Sequence, residues 1–463
     1  MRLLVVTIFH LSLISLALGQ TSQKPNFLVI MTDDQSHDTL TEEFMPSTKE
    51  MIADQGVTFS RFITPTALCC PSRASFLTGK YAHHTGVRTN NDQLLGPTLV
   101  NRLHDAGYFT GLVGKYLNSW PGEARPEYNY WTAWTKGYFD PKLNLFGTFQ
   151  TVAGYITSIL RDHALDFLDK VPGDQPFFLL FASRAPHSPA TPAPGDEHLF
   201  PHLAKWRPPN FNPADQSDKP TWLKETPQLS QHKIEKRVDE FRLNQLRCLH
   251  SVDVAVRDVL EKLKQQGKLD NTFIVFYSDN GYFWGEHRLL RKNRVYEEAS
   301  RGPCAIRYPP LIAETRLEDR LVAVIDLAPT IYELAGIPIP SDVDGRSLVP
   351  LLRGTTEWRD ALLLEGWPGT TNAQITPSDE EEEEEPEADQ AGNHVVQNQA
   401  TTPTDQDYQA IRTKDFVYVE TVGDKPELYH VTTDPYQMHN LVNRPEFADL
   451  VKRFSDWLHH AKL

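Results

Sequence analysis

Four short runs of β-branched and aromatic residues, each stopped by polar side chains, constrain this chain more than any other feature. They are PNFLVIM (25–31) before TDDQ, GYFTGLVG (107–114) before Lys115, PFFLLFAS (176–183) before Arg184 and His187, and NTFIVFYS (271–278) before Asp279 and Asn280. Runs this short and this apolar, with no polar alternation, read as strands buried on both faces. Before the last of them, FRLNQLRCLHSVDVAVRDVLEKLKQQGKL places Leu243, Leu246, Val252, Val256, Val259 and Leu263 at three- and four-residue steps. That is one apolar stripe on a helix, with Gly267 as its stop. Strands alternating with helices give an α/β fold whose large, mostly parallel sheet is flanked by helices. Chemistry in such sheets collects beyond the carboxyl ends of the strands. Residues far apart in sequence are therefore expected to meet on one rim.

The remainder of the chain divides by composition. With 463 residues, 40% of them hydrophobic, it can bury one large core or two unequal ones without disulfide help. Residues 188–235 are rich in Pro and polar side chains without a period, which predicts a long surface excursion near the rim. Nine acidic residues between Asp379 and Asp389, then a Gln/Asn/Thr-rich stretch to about 407, offer little to bury and are expected to be disordered. Beyond them, YQAIRTKDFVYVETVGDKPELYHV reads as two or three antiparallel strands turning at Gly423 and Asp424, and EFADLVKRFSDWLHHA as a closing helix. The expected divisions are a signal peptide at 1–19, an α/β domain at 20–365, a linker with the acidic insert at 366–407 and a small α+β subdomain at 408–463.

The N-terminus has one basic residue, Arg2, an apolar run broken by His10 and Ser12, and the small residues Ala17 and Gly19 before Gln20. This is the pattern of a secretory signal peptide, and it falls short of the roughly 18 unbroken apolar residues a membrane span needs. The expected location is outside the cell or in an acidic lumenal compartment, with no transmembrane anchor. A formal net charge of -15 argues against a nucleic-acid partner, which would favour a basic face.

Four cysteines, Cys69, Cys70, Cys248 and Cys304, are too few for a disulfide scaffold and are not at zinc-ligand spacing. For the adjacent pair, half a disulfide, a metal ligand and a nucleophile all remain open. Asp33, Asp34, Asp279 and Asn280 supply hard oxygen atoms at two strand ends, which suit Ca²⁺ or Mg²⁺ rather than zinc. Either pair alone would also serve as a helix N-cap or a turn. Arg73, Lys115, His187 and Lys292 add cationic or proton-donating groups. With a divalent cation they would form a clamp for a tetrahedral anion, as sulfuryl or phosphoryl transfer requires.

These residues carry a resemblance. CCPSRASFLTGKY resembles the signature of the type I, formylglycine-dependent sulfatases, Cys-x-Pro-Ser-Arg followed by Leu-Thr-Gly, and GYFTGLVGKY resembles their second signature. TDDQ, APHSP, YSDNG, GEHRLLRKNRVYEEASRGP and ELYHVTTDPYQMHNL resemble further family segments in the family's order, from about Asn26 to Leu463. The resemblance implies an alkaline-phosphatase-like sandwich with a small C-terminal antiparallel sheet. It also implies conversion of Cys69 to Cα-formylglycine by a formylglycine-generating enzyme, with Cys70 as the variable position.

One hydroxyl of the hydrated aldehyde would attack sulfur, and the other would collapse the sulfated hemiacetal and expel sulfate. Asp33, Asp34, Asp279 and Asn280, with the modified Cys69, would hold Ca²⁺, with Mg²⁺ second. Arg73 would hold the gem-diol, Lys115 and Lys292 the sulfate oxygens, and His187 would assist the leaving group. Where many members have His two residues after the second signature's lysine, this chain has Leu117 and then Asn118. That spelling resembles the branch with N-acetylglucosamine-6-sulfatase and the extracellular heparan endosulfatases, and Asn118 is expected to take over part of the histidine's role. Trp284, His287 and Arg288 are expected to contact substrate, and His83 and His84 either line the pocket or sit at a helix end.

The expected activity is hydrolysis of a sulfuric ester of a sulfated sugar, of the glucosamine 6-sulfate type, or of an aryl sulfate. A formylglycine-dependent phosphonate or phosphate ester hydrolase is the alternative within the same chemistry. A catalytically silent protein that binds sulfated glycans is the alternative outside it. A Cys248 to Cys304 bridge and a buried free Cys248 are both open at this level.

Overall fold

The computed structural model describes residues 24–355, 357–368 and 406–460. The signal-peptide segment and the acidic insert lie outside them. Ten strands form one sheet: β1 (Asn26–Thr32), β2 (Val57–Phe59), β3 (Phe109–Lys115), β4 (Tyr130–Lys136), β5 (Lys142–Leu145), β6 (Thr148–Thr151), β7 (Phe177–Ala182), β8 (Thr272–Ser278), β9 (Cys304–Arg307) and β10 (Arg316–Glu318). Their order is β10-β2-β9-β8-β1-β7-β3-β4-β5-β6. The four apolar runs are the adjacent strands β8, β1, β7 and β3, all mutually parallel, with β4 added in parallel beyond β3.

Both faces of this block are covered, as its lack of alternation requires. Along β1, Phe27, Val29 and Met31 enter one core, and Leu28 and Ile30 enter the other. The first core is closed by the helices α1 (Cys69–Thr78) and α4 (Leu327–Ala335), the second by α2 (Ile156–Lys170) and α3 (Phe241–Gln265). Of the predicted stripe of α3, Leu246, Val252, Val256, Val259 and Leu263 are inaccessible and Leu243 is half-buried. Cys248 belongs to one core and Cys304 to the other, so the sheet separates them and all four cysteines are free thiols. The bridge left open above does not form.

A second sheet is wholly antiparallel: β11 (Ala361–Gly366), β12 (Tyr408–Thr413), β13 (Phe416–Thr421) and β14 (Glu427–His430). Its first strand comes from before the acidic stretch, so the small sheet has four strands where two or three were expected. Helix α5 (Ala448–His460) covers it through Leu458, the side chain that α5 buries. The excursion at 188–235 holds only short helical turns before a π-helical stretch, Ile234–Glu240, runs into α3.

Candidate active site

The parallel register brings the polar stops together. Asp33 directly follows β1, Asp279 follows β8, Lys115 ends β3, and Arg184 and His187 follow β7. Gly114 sets the position of Lys115: it has φ 122°, and a Cβ there would stand 1.8 Å from the Ala182 carbonyl oxygen. Asp34 takes the left-handed conformation, φ 65°, and its N–H donates to Asp279 Oδ1 at 3.2 Å. Cys69 opens α1, a helix whose ten residues are all buried, and Gly79 closes that helix with φ 73°.

Asp33 is the hub. Its Oδ1 accepts from Cys69 Sγ at 3.3 Å and its Oδ2 from Lys115 Nζ at 2.6 Å. Arg73 Nε donates to Asp279 Oδ2 at 2.8 Å, and its Nη2 stands 3.6 Å from Asp33 Oδ2. Lys292 Nζ donates to Asp34 Oδ1 and lies 3.0 Å from Cys69 Sγ. His187 Nε2 is 3.7 Å from Asp34 Oδ2. Its Nδ1 is 3.0 Å from the Ser188 carbonyl, which can only accept, so in the neutral ring the proton sits on Nδ1.

The electrostatics follow from this crowding. Burial opposes ionisation of Asp33, but Lys115, His187 and Arg73 outweigh it and hold its carboxyl well below the usual range. Burial and the neighbouring Asp33 raise Asp279. Burial and Asp33 also push the Cys69 thiol up to about 12. His187 is held well below its ordinary value by burial, then by Arg184 and Lys292.

A cation fits this donor set. Ligand atoms of Asp33, Asp34, Cys69 and His187 lie within 4.8 Å of one another. Asn280 donates through Nδ2 to Asp34 Oδ1 at 2.7 Å, while its buried Oδ1 has no hydrogen-bond partner. An orphaned amide oxygen beside carboxylates is the hard-oxygen environment that Ca²⁺ or Mg²⁺ takes.

Of the residues expected to touch substrate, Trp284, His287 and Arg288 have protein partners. Trp284 is buried, and its indole N–H donates to Gln245 Oε1. His287 is buried and stacks on Tyr296 with ring centroids 4.3 Å apart. Arg288 donates to the carbonyls of Pro213, Ala214 and Thr226, pinning the excursion. Asn118 is exposed on the turn after β3. His83 binds Glu365 of the small sheet at 2.8 Å and His84 binds Asp344 at 2.9 Å, the helix-end role rather than the pocket.

Two residues at the cluster were given no role by the sequence reading, which noted Arg184 only as a polar stop after its strand. Arg184 Nη1 is 3.7 Å from Asp33 Oδ2, and its guanidinium lies 4.5 Å above the Trp134 ring. Its place two residues past a strand end was the available signal. Gln245 Nε2 donates to the carbonyls of Asp34, at 3.4 Å, and Pro186, at 3.2 Å. It tethers two rim loops from within α3, where nothing distinguished it from the helix's other polar positions.

A parallel-sheet rim that gathers carboxylates and cations around one short side chain marks an α/β protein whose site has the charge pattern to hold a tetrahedral anion. The chain belongs to the sulfatase family, whose family model, Sulfatase, matches residues 25–337. It is 33% identical over 371 residues to the extracellular sulfatase SULF-1 homolog of Drosophila melanogaster, covering 74% of this chain and 33% of that protein. It thus spans about a third of the length of that relative. To the N-acetylglucosamine-6-sulfatase of Capra hircus it is 32% identical over 463 aligned positions, covering 91% of this chain and 80% of that one. Among solved structures, BT4656 in complex with its substrate D-glucosamine-2-N,6-O-disulfate superposes with a TM-score of 0.78 at 24% identity, covering 95% and 97% of the two chains. That likeness establishes the fold.

Proposed function

We propose that this protein hydrolyses the sulfuric ester of a small sulfated sugar, of the glucosamine 6-sulfate type, using a Cα-formylglycine made from Cys69. The observation that carries the reading is the position of Cys69: buried at the start of α1, with Asp33 Oδ1 3.3 Å and Lys292 Nζ 3.0 Å from its sulfur. Asp33, Asp34, Asp279 and Asn280 would hold Ca²⁺, which when bound supplies a Lewis acid for a sulfate oxygen and offsets the three carboxylates. The hydrated aldehyde supplies the attacking hydroxyl and a way to release sulfate without water reaching sulfur.

The chain's own side chains do the rest. Arg73 orients Asp279 and lies against the nucleophile's position. Lys115 and Lys292 place two ammonium groups where equatorial oxygens gain charge, a preorganised environment that costs little to rearrange during reaction. His187, with Nδ1–H fixed by the Ser188 carbonyl, presents Nε2 to the cluster, where the negative charge of a bound sulfate would offset the effect of burial and favour the protonated form that delivers a proton to the leaving oxygen. Glucosamine-type relatives support the sugar class and extracellular relatives support release from the cell, while the motif around Cys69 is what supports maturation by a formylglycine-generating enzyme. No helix among the described residues is long and apolar enough to cross a membrane.

Mass spectrometry of the peptide holding Cys69, on protein secreted by a host that converts a control sulfatase, tests the nucleophile. The aldehyde or its hydrate is the expected side chain; an intact thiol overturns the mechanism and brings forward glycan binding without turnover. Turnover of glucosamine 6-sulfate, an aryl sulfate and an aryl phosphonate by the same sample tests the ester. Faster turnover of the phosphonate would replace the sulfatase reading with the alternative.

A further inference from the structure

A cavity of about 650 Å³ lies outside the Cys69 cluster, none of whose residues line it. Its walls include Phe59 of β2, Arg301 and Cys304 leading into β9, Arg316 and Leu317 of β10, and His37. It adjoins the cluster through the chain: His37 follows Asp34 by three residues, and Gly302 faces Ser278, the last residue of β8. A volume in this range is typical of small-molecule sites.

The lining sets Lys49, Arg301 and Arg316 against one carboxylate, Asp54, and two of its buried nitrogens lack hydrogen-bond partners. Lys49 is already neutralised by Asp54 at 2.6 Å, and Arg316 is spent on the carbonyls of Leu351 and Leu352. Arg301 holds Glu297 through Nη1 at 3.2 Å, yet its buried Nε has no partner. His37 Nδ1 is likewise buried and unpartnered. Burial and Arg301 push His37 down to about 4, so its ring is neutral at physiological pH and keeps one donor and one acceptor. Leu40, Ala53, Phe59 and Leu317 give the cavity an apolar side, Leu317 being 69% exposed.

Unsatisfied buried polar atoms mark a place where a partner is missing. A guanidinium and a neutral imidazole against an apolar wall match an anionic group carried on a ring with apolar faces, the one carboxylate of the lining, Asp54, being paired with Lys49. The formal net charge of -15 gives this lining weight. A protein so acidic repels anions except where positive charge is gathered locally.

We propose that this cavity is a second, non-catalytic site for an anionic sugar, with Arg301 and His37 binding its sulfate or carboxylate. The sugar class rests on the sulfated-sugar reading of the Cys69 centre; the preference for an anion does not.

Cys69→Ala provides a protein that binds without turnover. Calorimetric titration of this variant with glucosamine 6-sulfate is expected to find two sites per chain. Glucuronate, titrated separately, reports whether a carboxylate suffices at the cavity, and uncharged N-acetylglucosamine is expected to leave the cavity empty. Adding Ala53→Phe, which fills the cavity without breaking an ion pair, is expected to remove one site. Adding Arg301→Gln is expected to weaken that same site at least tenfold, with circular dichroism confirming the fold of each variant. One site abolished by Ala53→Phe supports the cavity even if the catalytic reading fails. One site indifferent to Ala53→Phe, two sites both indifferent to it, or no binding of either anion overturns the proposal.

Discussion

Glu297 sits five residues after Lys292, and its carboxylate ties the loop that carries this lysine to the small sheet. Its Oε1 accepts from Arg412 Nε of β12 at 2.7 Å, and its Oε2 lies 3.2 Å from Arg301 Nη1. Arg412 is 2% exposed, so removing Glu297 leaves a guanidinium buried without its counter-ion. Breaking a buried pair from one side costs about 3–5 kcal/mol. The titration gives a second route to the magnitude. Burial would raise the Glu297 carboxyl, but Arg412 and Arg301 outweigh it and bring it from the ordinary 4.5 to about 2. At 1.36 kcal/mol per pH unit that is about 3 kcal/mol, in line with the first figure. The folded carboxyl titrates below the unfolded one, so this stability is complete above about pH 5 and is lost as pH falls toward 2.

Urea unfolding of wild type, Glu297→Gln, Arg412→Met and the double variant Glu297→Leu/Arg412→Met, each followed from pH 7 to pH 3, measures the effect. Glu297→Gln is expected to lose about 3 kcal/mol at pH 7 and to show less acid destabilisation than wild type. The apolar double variant is expected to recover much of the loss, because the buried Arg412 charge is then gone and only the part-exposed Arg301 is left without its carboxylate. Because Lys292 is held by the same loop, kcat on a sulfate ester is expected to fall in Glu297→Gln and to return partly in the double variant. A loss under about 1 kcal/mol at pH 7, or an acid profile of Glu297→Gln identical to wild type, refutes the reasoning.

Lys292→Ala is expected to lower kcat by about a hundred- to a thousand-fold, the usual cost of deleting one preorganised charge donor, measured by steady-state hydrolysis. Chelation of divalent cations is expected to abolish hydrolysis, and Asn280→Leu to raise the Ca²⁺ needed for half-maximal activity by about a hundred-fold, read from a Ca²⁺ titration of activity. Gly114→Ala is expected to destabilise the fold by about 3 kcal/mol or more, since it combines a left-handed φ with a clash against the Ala182 carbonyl. Thiol titration of unfolded, formylglycine-bearing protein without reductant is expected to find three thiols, the four free cysteines less Cys69. Finding one would mean that Cys248 and Cys304 pair after all.

The central strands and the rim they build were legible because both depend on local pattern. A short apolar run with no alternation has to be buried on both faces, and parallel strands necessarily end on the same side. Asp33, Lys115, His187 and Asp279 each sit within a few residues of such an end, so their meeting required no knowledge of strand order. The motif around Cys69 added which side chain stands at their centre. The short strands β2, β9 and β10, the last at the edge of the sheet, were not legible, since three or four residues carry too little periodicity to separate from a loop. Nor was the role of Gln245, whose neighbours in space are Asp34 and Pro186, far away in the chain.

By itself, then, the sequence determined the parallel sheet, the rim and the family. Only the tertiary structure decided where individual side chains point. It put Cys248 and Cys304 on opposite faces of the sheet, turned Trp284, His287 and Arg288 toward protein partners, and gathered His37 and Arg301 at one cavity. The physical reason is range: hydrophobic periodicity is fixed by neighbours three or four residues away, whereas burial and hydrogen-bond partners are fixed by segments that meet only after the chain has folded.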